Sequence, residues 1–381
     1  MRIVYCSTPS FTECDIPLLK VFSDMGHEVH FFLHIAPYSK KSTIVNIDSL
    51  KQVYDILPAS EYKELGLIQE YIPKVKIYIV NDPVGKNNTK ALMLSHKERR
   101  LIKRLHPDIV QYVESPAPFH LLMLWENRRT AVCTIHDPVP HLNQMPVLES
   151  VCRKISARFI KKFILLNDRQ TTPFCKRFGV KASKVFHANL GPYPPLFYSG
   201  NYSFPEGKYI LIFGRITPYK GIENGIEAMT RIAEQFPDVY LLIAGSGRIY
   251  FDKELYAGKP YIKLENRFIA SEELASMIKH SLFVLCPYTE ATQSGVVQTA
   301  FGLDTPVVVT NVGALADAVE DGQTGRVIPG SDNGALAAVM KDLLENPEKL
   351  ESMRDSISNK NSGQKAWREI AEKYLNTYNA R

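Results

Sequence analysis

The 381-residue sequence contains six cysteines and two tryptophans. Cys6, Cys14, Cys133, Cys152, Cys175 and Cys286 form no CxxC pair and no zinc-like spacing, so neither a disulfide framework nor a zinc module is expected. No apolar run approaches the roughly 20 residues that a membrane-spanning helix needs. The N-terminal Met1-Arg2-Ile3-Val4-Tyr5 reads as a strand rather than a secretory leader, and the expected location is cytoplasmic. No clear acidic cluster of metal-binding type occurs, and no G-x-G-x-x-G stands between a strand and a helix, so a dehydrogenase reading has no motif support. The charged fraction of 23% and hydrophobic fraction of 45% exclude a disordered or fibrous chain.

What is present is a pattern of short apolar strands alternating with helical stretches, the mark of parallel α/β units. In the first half, strands are expected at Ile3–Cys6, Glu28–Leu33, Lys76–Val80, Ile109–Val113, Ala131–Ile135 and Phe163–Leu166. Helices are expected at Ile16–Asp24, Lys90–Leu105, Pro118–Asn127, Leu148–Lys161 and Arg169–Phe178. The pattern restarts after the proline-rich joint Gly191-Pro192-Tyr193-Pro194-Pro195. Strands follow at Tyr209–Phe213, Val239–Ala244, Tyr261–Leu264, Leu282–Cys286, Val307–Thr310 and Arg326–Ile328. Helices follow at Ile222–Gln235, Glu272–His280, Gly295–Gly302, Leu315–Glu320 and Gly334–Glu345. Trp367, Ile370, Ala371 and Tyr374 have the spacing of one face of a final helix, Gln364–Tyr378. The expected architecture is two doubly wound Rossmann-like domains facing each other across a cleft, residues 1–190 and 191–362, with 363–381 as a helix crossing back to the first domain. Open α/β sheets bind ligands outside the carboxyl ends of their strands, so the chemistry belongs on the loops there.

Charge is uneven. The net charge is +6, but residues 1–190 carry +10 and residues 191–381 carry −4. The first half is therefore expected to meet something anionic. Within 151–163, Arg153, Lys154, Arg158, Lys161 and Lys162 flank apolar Val151, Ile155 and Phe159, which suits peripheral contact with an anionic membrane. The same pattern also fits a helix packed on a sheet with solvated cations. Nucleic acid is not expected, since no interleaved aromatic and basic motif occurs.

Three segments carry the candidate chemistry. In Ile212-Phe213-Gly214-Arg215-Ile216-Thr217-Pro218-Tyr219-Lys220-Gly221 a strand ends and two cations follow before a helix. Arg can chelate phosphate oxygens through its fork and Lys adds a point charge. The spacing also fits a surface loop with two solvated cations. In Val239–Gly247 a strand runs into Gly245-Ser246-Gly247, where a backbone can approach a ligand or simply turn. In Pro287–Ala300 a strand leads into a helix starting near Ser294-Gly295, whose free amides suit an anion or a sugar hydroxyl, with Glu290 ahead of it and Gln298 one turn inside.

In this order, with Thr305-Pro306-Val307-Val308 and Glu320-Asp321-Gly322-Gln323-Thr324-Gly325, these segments resemble the nucleotide-sugar domain of retaining glycosyltransferases of family 4 (glycosyl transferases group 1), which have the two-Rossmann GT-B architecture. The match covers about Tyr209–Gly325. It is weaker in the first half, through Asp24–Val29, Pro107–Val110 and Thr134-Ile135-His136-Asp137, and it includes the tail near Trp367–Ala371. The resemblance implies that Arg215 and Lys220, beside Gly214, bind a donor diphosphate. Glu290 then reads the donor sugar. Gly245 and the amides of Gln293, Ser294 and Gly295 contact sugar or phosphate, and Arg267 and Phe268 lie near the base. His136 faces the reacting sugar. Position 298 carries a glutamate in the family that binds ribose; here it is Gln298, which accepts without charge. A Gly-Gly loop common in the family after the first strand is replaced by Thr8-Pro9-Ser10-Phe11.

The implied reaction moves a sugar from a UDP-sugar or GDP-sugar to a saccharide or lipid-linked acceptor, as in bacterial-type polysaccharide or glycolipid synthesis, with no metal and no other cofactor. Two rival readings stand beside it: a sugar-nucleotide epimerase on the same architecture, and a degenerate, non-catalytic nucleotide-sugar-binding module.

Overall fold

The computed structural model describes residues 1–42, 44–85, 88–114, 121–136, 138, 147–194, 205–291, 294–330, 332–361 and 365–380. The chain divides into two compact units, Met1–Gly191 with Trp367–Arg381, and Pro192–Ala366.

The first unit is built on eight strands: β1 (Arg2–Ser7), β2 (Glu28–Ile35), β3 (Asp55–Pro58), β4 (Lys76–Asn81), β5 (Ile109–Val113), β6 (Ala131–Ile135), β7 (Lys162–Leu165) and β8 (Val185–His187). Their order in the sheet is β3-β4-β2-β1-β5-β6-β7-β8. All neighbours are parallel except β3, which pairs antiparallel with β4 at one edge. The helices are α1 (Thr12–Asp24), α2 (Gly66–Tyr71), α3 (Thr89–Leu105), α4 (Leu121–Glu126), α5 (Val147–Phe159) and α6 (Thr171–Phe178). Strands β5 and β6 are buried along their whole length, as expected of parallel strands covered on both faces. Helix α3 starts where the Asn88 side chain accepts from the Ala91 amide at 2.9 Å, and Lys103 and Arg104 in its last turn suit the negative end of its dipole.

The second unit holds β9 (Lys208–Phe213), β10 (Val239–Gly245), β11 (Ile262–Asn266), β12 (Val284–Cys286), β13 (Val307–Thr310) and β14 (Gly325–Ile328), all parallel, in the order β11-β10-β9-β12-β13-β14. Its helices are α7 (Ile222–Ile232), α8 (Ser271–His280), α9 (Gly295–Gly302), α10 (Asn333–Glu345) and α11 (Pro347–Asn361). In α7, Ile222, Ile226, Met229 and Ile232 recur every three to four residues, and all are buried in one core with Ile210, Leu241 and Leu285 of the sheet. Strand order reverses at β9, between β10 and β12, so the loops after these strands meet at the switch point of a doubly wound sheet.

The last helix, α12 (Lys365–Asn379), packs Ile370, Ala371, Tyr374 and Tyr378 into the first unit. Thr134 Oγ1 donates to Tyr374 Oη at 3.1 Å, and Tyr378 Oη donates to Gln111 Oε1 at 3.1 Å. Lys162 Nζ donates to the carbonyls of Thr377 (2.6 Å), Tyr378 (2.9 Å) and Ala380, which caps a helix C-terminus that would otherwise leave carbonyls unsatisfied.

Several expectations need correction. Leu315–Glu320 is not a helix: one 3-10 turn, Ala316–Ala318, forms before the chain turns into β14, with the Glu320 amide donating to Thr324 Oγ1 at 2.9 Å. Helix α11 was not anticipated, because Pro347 reads as a breaker, yet proline is compatible with a first helical turn. The short α2, β3 and β8 were also not anticipated. Of the cations assigned to a membrane-facing helix, Arg153 is buried and paired with Glu114 at 2.6 Å, and Lys162 is buried under α12. The start of the expected Pro118–Asn127 helix and the end of the proline-rich joint lie outside the described residues.

Candidate active site

In the second unit the switch point gathers three loops. The loop after β9 is tied to the loop after β10 by backbone bonds from the Gly214 amide to Ala244 O and from the Ile216 amide to Ser246 O, both 3.0 Å. Here Gly245 has φ +154°, and a Cβ would lie 2.0 Å from Gly214 O, so no side chain fits between the two backbones. Asn266 at the end of β11 holds the Gly-Ser-Gly loop at both ends of one peptide pair: the Gly247 amide donates to Asn266 Oδ1 (3.1 Å) and Asn266 Nδ2 donates to Gly247 O (3.0 Å).

Lys220 closes the 3-10 turn Pro218–Lys220 and is 4% exposed. Its Nζ donates to Phe213 O and to Tyr288 Oη, each at 3.0 Å, and lies 5.0 Å from the Tyr288 ring centre. A Cβ on Gly214 would stand 3.0 Å from this Nζ, so the ammonium sits directly beside the glycine that ends β9. This is not the solvated surface cation that the spacing also allowed. Burial pulls the Lys220 pKa down to about 8; Cys286 opposes that shift and the Arg215 charge adds to it. Arg215 itself is exposed. Gly221, in the left-handed region at φ +58°, lets the chain enter α7 against Pro287, where a Cβ would meet Pro287 O at 2.1 Å.

After β12, Tyr288 is buried, its main-chain O accepts from Thr310 Oγ1 at 2.6 Å, and its ring meets Tyr219 edge-on at 5.7 Å. The Thr289 amide donates to Tyr219 O at 2.8 Å, joining this loop to the Lys220 turn. Ser294 occupies the N-cap position of α9, and its buried hydroxyl caps none of the helix amides. Thr217 Oγ1 is buried and has no hydrogen-bond partner among the described residues. Gln298 is 6% exposed on α9, and its main-chain O accepts from the Tyr193 amide at 3.1 Å. The proline-rich joint is thus anchored at Tyr193.

The structure brings Gly214, Lys220, Gly245, Ser294 and Gly295 into one neighbourhood through these loops. Glu290 is exposed ahead of α9. Arg267 is engaged by Glu265 at 2.6 Å and by Glu273 at 2.9 Å, and Phe268 is 70% exposed beyond it. Gln293 lies outside the described residues. Sequence reasoning gave no role to Tyr288, Tyr193 or Thr217, and it placed Asn266 only with Arg267 and Phe268 near the base, as the resemblance implies. The only signal for Tyr288 was its place directly after a strand-ending Cys-Pro.

In the first unit, His136 follows β6. Its amide donates to Glu114 Oε1 at 2.7 Å, and its ring lies 4.4 Å from that of Phe11 at 34°. Glu114 has φ +61° after β5 and also takes Arg153 Nη2 at 2.6 Å, so one carboxylate fixes both the loop and α5. His136 lines a cavity of about 10 Å³, the size of a single water-probe sphere, together with Asp15, Asn189 and Tyr374. The Asp15 carboxylate accepts from Tyr5 Oη (2.7 Å) and Ser7 Oγ (2.5 Å); burial pushes its pKa up to about 7 against these two bonds, which lower it.

Among the described residues, Cys6, His34 and Glu98 form one group whose potential metal-ligand atoms lie within 4.8 Å of one another. His34 Nε2 and Glu98 Oε1 are 3.0 Å apart. Burial pushes the Cys6 thiol pKa well up, and the Glu98 charge adds to the shift.

Comparison with known proteins agrees with this geometry. Residues 200–360 match the family model "Glycosyl transferases group 1". The alpha-D-kanosaminyltransferase of Streptomyces kanamyceticus is 28% identical over 160 residues, which is 41% of this chain and 42% of that enzyme. The chain thus spans about two fifths of the length of the curated relatives it first matches. Among solved structures, a glycosyltransferase from Rickettsia africae superposes with TM-score 0.66 at 14% identity, covering 100% of this chain and 99% of that one. Anabaena Alr3699/HepE in complex with UDP and glucose gives 0.63 at 16% identity, with 99% of each chain covered. Residues 200–360 thus resemble the glycosyl transferases group 1, and the chain's two parallel-sheet units have the GT-B fold.

Proposed function

We propose that the protein is a retaining glycosyltransferase that moves a sugar from a nucleoside-diphosphate-sugar to a saccharide or lipid-linked acceptor. The observation that carries this reading is the buried ammonium of Lys220, fixed beside Gly214 at the switch point of the domain that matches the family. An ammonium desolvated there, with the N-terminal end of α9 nearby, suits a diphosphate better than any neutral ligand.

Arg215 and Lys220 hold the diphosphate, with Gly214 and Gly245 allowing close backbone approach. As the sugar C1–O bond breaks, the electron pair goes to the phosphate oxygen, and the two cations and the Ser294–Gly295 amides meet the growing charge. This scheme requires no metal. The acceptor hydroxyl oxygen forms the new bond to C1 on the face the leaving group departs, and its proton passes to the departing phosphate. Glu290 accepts hydrogen bonds from the donor sugar, Gln298 from ribose, and Arg267 and Phe268 border the base. In this reading His136 serves the acceptor side of the reaction. The uridine and glucose in the Anabaena relative make a UDP-sugar the first donor to try.

The test is nucleotide release from a panel of UDP- and GDP-sugars, with and without a lipid-linked acceptor fraction. Release from one donor that rises with acceptor supports transfer. Conversion of the donor without any acceptor supports the epimerase reading instead.

A further inference from the structure

The basic surface of the first unit contains a feature apart from the candidate active site. A cavity of about 500 Å³ opens beside the C-terminal ends of α5 and α6. Six cations line it: Lys154, Arg158, Lys176, Arg177, Lys181 and Lys184. No acidic residue lines it, and none of the six makes an ion pair with a carboxylate among the described residues. Elsewhere in this unit cations are commonly paired, as in Arg153 with Glu114, Arg99 with Glu126 and Lys97 with Asp55. Apolar Ala157, Phe178 and Val180 are buried beneath the charges and give the cavity a floor.

Helix dipoles do not account for the cluster. Arg158, Lys176 and Arg177 stand in the last turns of α5 and α6, where a cation is favourable. Two helix ends supply only about one negative charge between them. Lys184 Nζ also donates to Ile160 O at 3.2 Å, which satisfies a carbonyl but neutralises nothing. Several unit charges therefore remain uncompensated within one concavity, where low-dielectric walls concentrate their field.

We propose that this cavity binds a ligand carrying two or more phosphate groups. Its volume lies in the range of small-ligand sites, roughly 300–1,000 Å³, rather than that of an extended macromolecular surface. The guanidinium forks of Arg158 and Arg177 suit phosphate oxygens, and the four lysines supply the remaining charge. The same chemistry is offered by a free oligophosphate compound and by the headgroups of an anionic lipid. The proposal does not depend on the transferase reading.

The test uses the full chain carrying Arg215→Ala, which removes one of the two donor-site cations, with and without K176E/R177E. Both added positions are exposed and neither makes an ion pair among the described residues, although Arg177 lies 5.7 Å from the Phe178 ring centre, so the folded state should be retained, which thermal unfolding checks. Calorimetric titration with inorganic tripolyphosphate should show, in the R215A chain, a binding event that the cavity cations carry. Its affinity should fall about tenfold or more in the charge-reversed variant. It should also weaken steeply with salt, as the screening length drops from about 10 Å at 0.1 M to about 3 Å at 1 M. Co-sedimentation with phosphatidylcholine vesicles, with and without phosphatidylinositol bisphosphate as an anionic lipid whose headgroup carries several phosphates, distinguishes the sources. Pelleting that needs the anionic lipid and is lost in K176E/R177E assigns a headgroup, and tripolyphosphate binding without pelleting assigns a free compound. Equal titrations for the two chains, or none in the R215A chain, overturn the proposal.

Discussion

Lys220 Nζ donates to Tyr288 Oη at 3.0 Å, and both side chains are buried. The bond joins the turn after β9 to the loop after β12, so the ammonium is aimed by a residue from the neighbouring loop rather than by its own loop alone. Tyr288→Phe removes one acceptor and leaves the ring. We expect a stability loss of about 1 kcal/mol and a several-fold weaker nucleotide affinity, read by denaturant unfolding and by titration with UDP and GDP. Unchanged nucleotide affinity for both would show that Tyr288 does not position the ammonium.

The lowered Lys220 pKa gives a pH dependence with a definite sign. An anion binds the protonated lysine, so donor affinity should be flat below pH 8 and fall as pH rises through about 8. Binding above that pH should take up a proton, which calorimetry in buffers of different ionisation enthalpy measures directly. Affinity that rises with pH over this range contradicts the assignment.

Asp15 gives folding stability a pH dependence of its own. Its folded pKa, raised from 3.8 to about 7, means that the native state holds a proton the unfolded chain releases. The contribution is fully present below about pH 4 and is lost as pH rises through about 7. Relative to Asp15→Asn, which keeps a hydrogen-bonding amide between Tyr5 and Ser7, the wild type should lose on the order of 2–4 kcal/mol between pH 4 and pH 8. Parallel stability profiles for the two proteins would show that the buried carboxyl does not shift.

Lys162→Met tests the anchoring of α12. It removes the donor shared by the carbonyls of Thr377, Tyr378 and Ala380 while keeping an unbranched apolar stem. A loss of roughly 2–3 kcal/mol in urea unfolding is expected, together with faster amide exchange in Tyr374–Asn379. A variant as stable and as protected as the wild type would show that packing of Tyr374 and Tyr378 suffices.

The strands of both units were legible because they are continuous apolar runs bounded by Gly, Pro and Asp. Ile109–Val113, Ala131–Ile135 and Val307–Thr310 fall where the residues alone place them. The face of α12 was legible too, since Trp367, Ile370, Ala371 and Tyr374 share a helical stripe. The edge strand β3 was not, because Asp55-Ile56-Leu57-Pro58 is short and half-buried, with no alternation to mark it. At the candidate site, Lys220 and Gly245 were visible as residue types at strand ends. That Lys220 is buried was not, because its burial depends on Tyr288, 68 residues away. The charge excess of the first half was legible as a sum. How it is distributed was not: Arg153 and Lys162 serve internal partners, while Lys176, Arg177, Lys181 and Lys184 join Lys154 and Arg158 only through the fold.

The central claim is that Lys220 stabilises a departing nucleoside diphosphate. The most direct measurement is the rate of nucleotide release by the wild type and by Lys220→Ala, with the same donor and acceptor, after thermal unfolding has shown that both chains fold. The account predicts a loss of about a hundredfold or more in the variant, the scale of removing one group that meets leaving-group charge. A folded variant that turns over at the wild-type rate would contradict it.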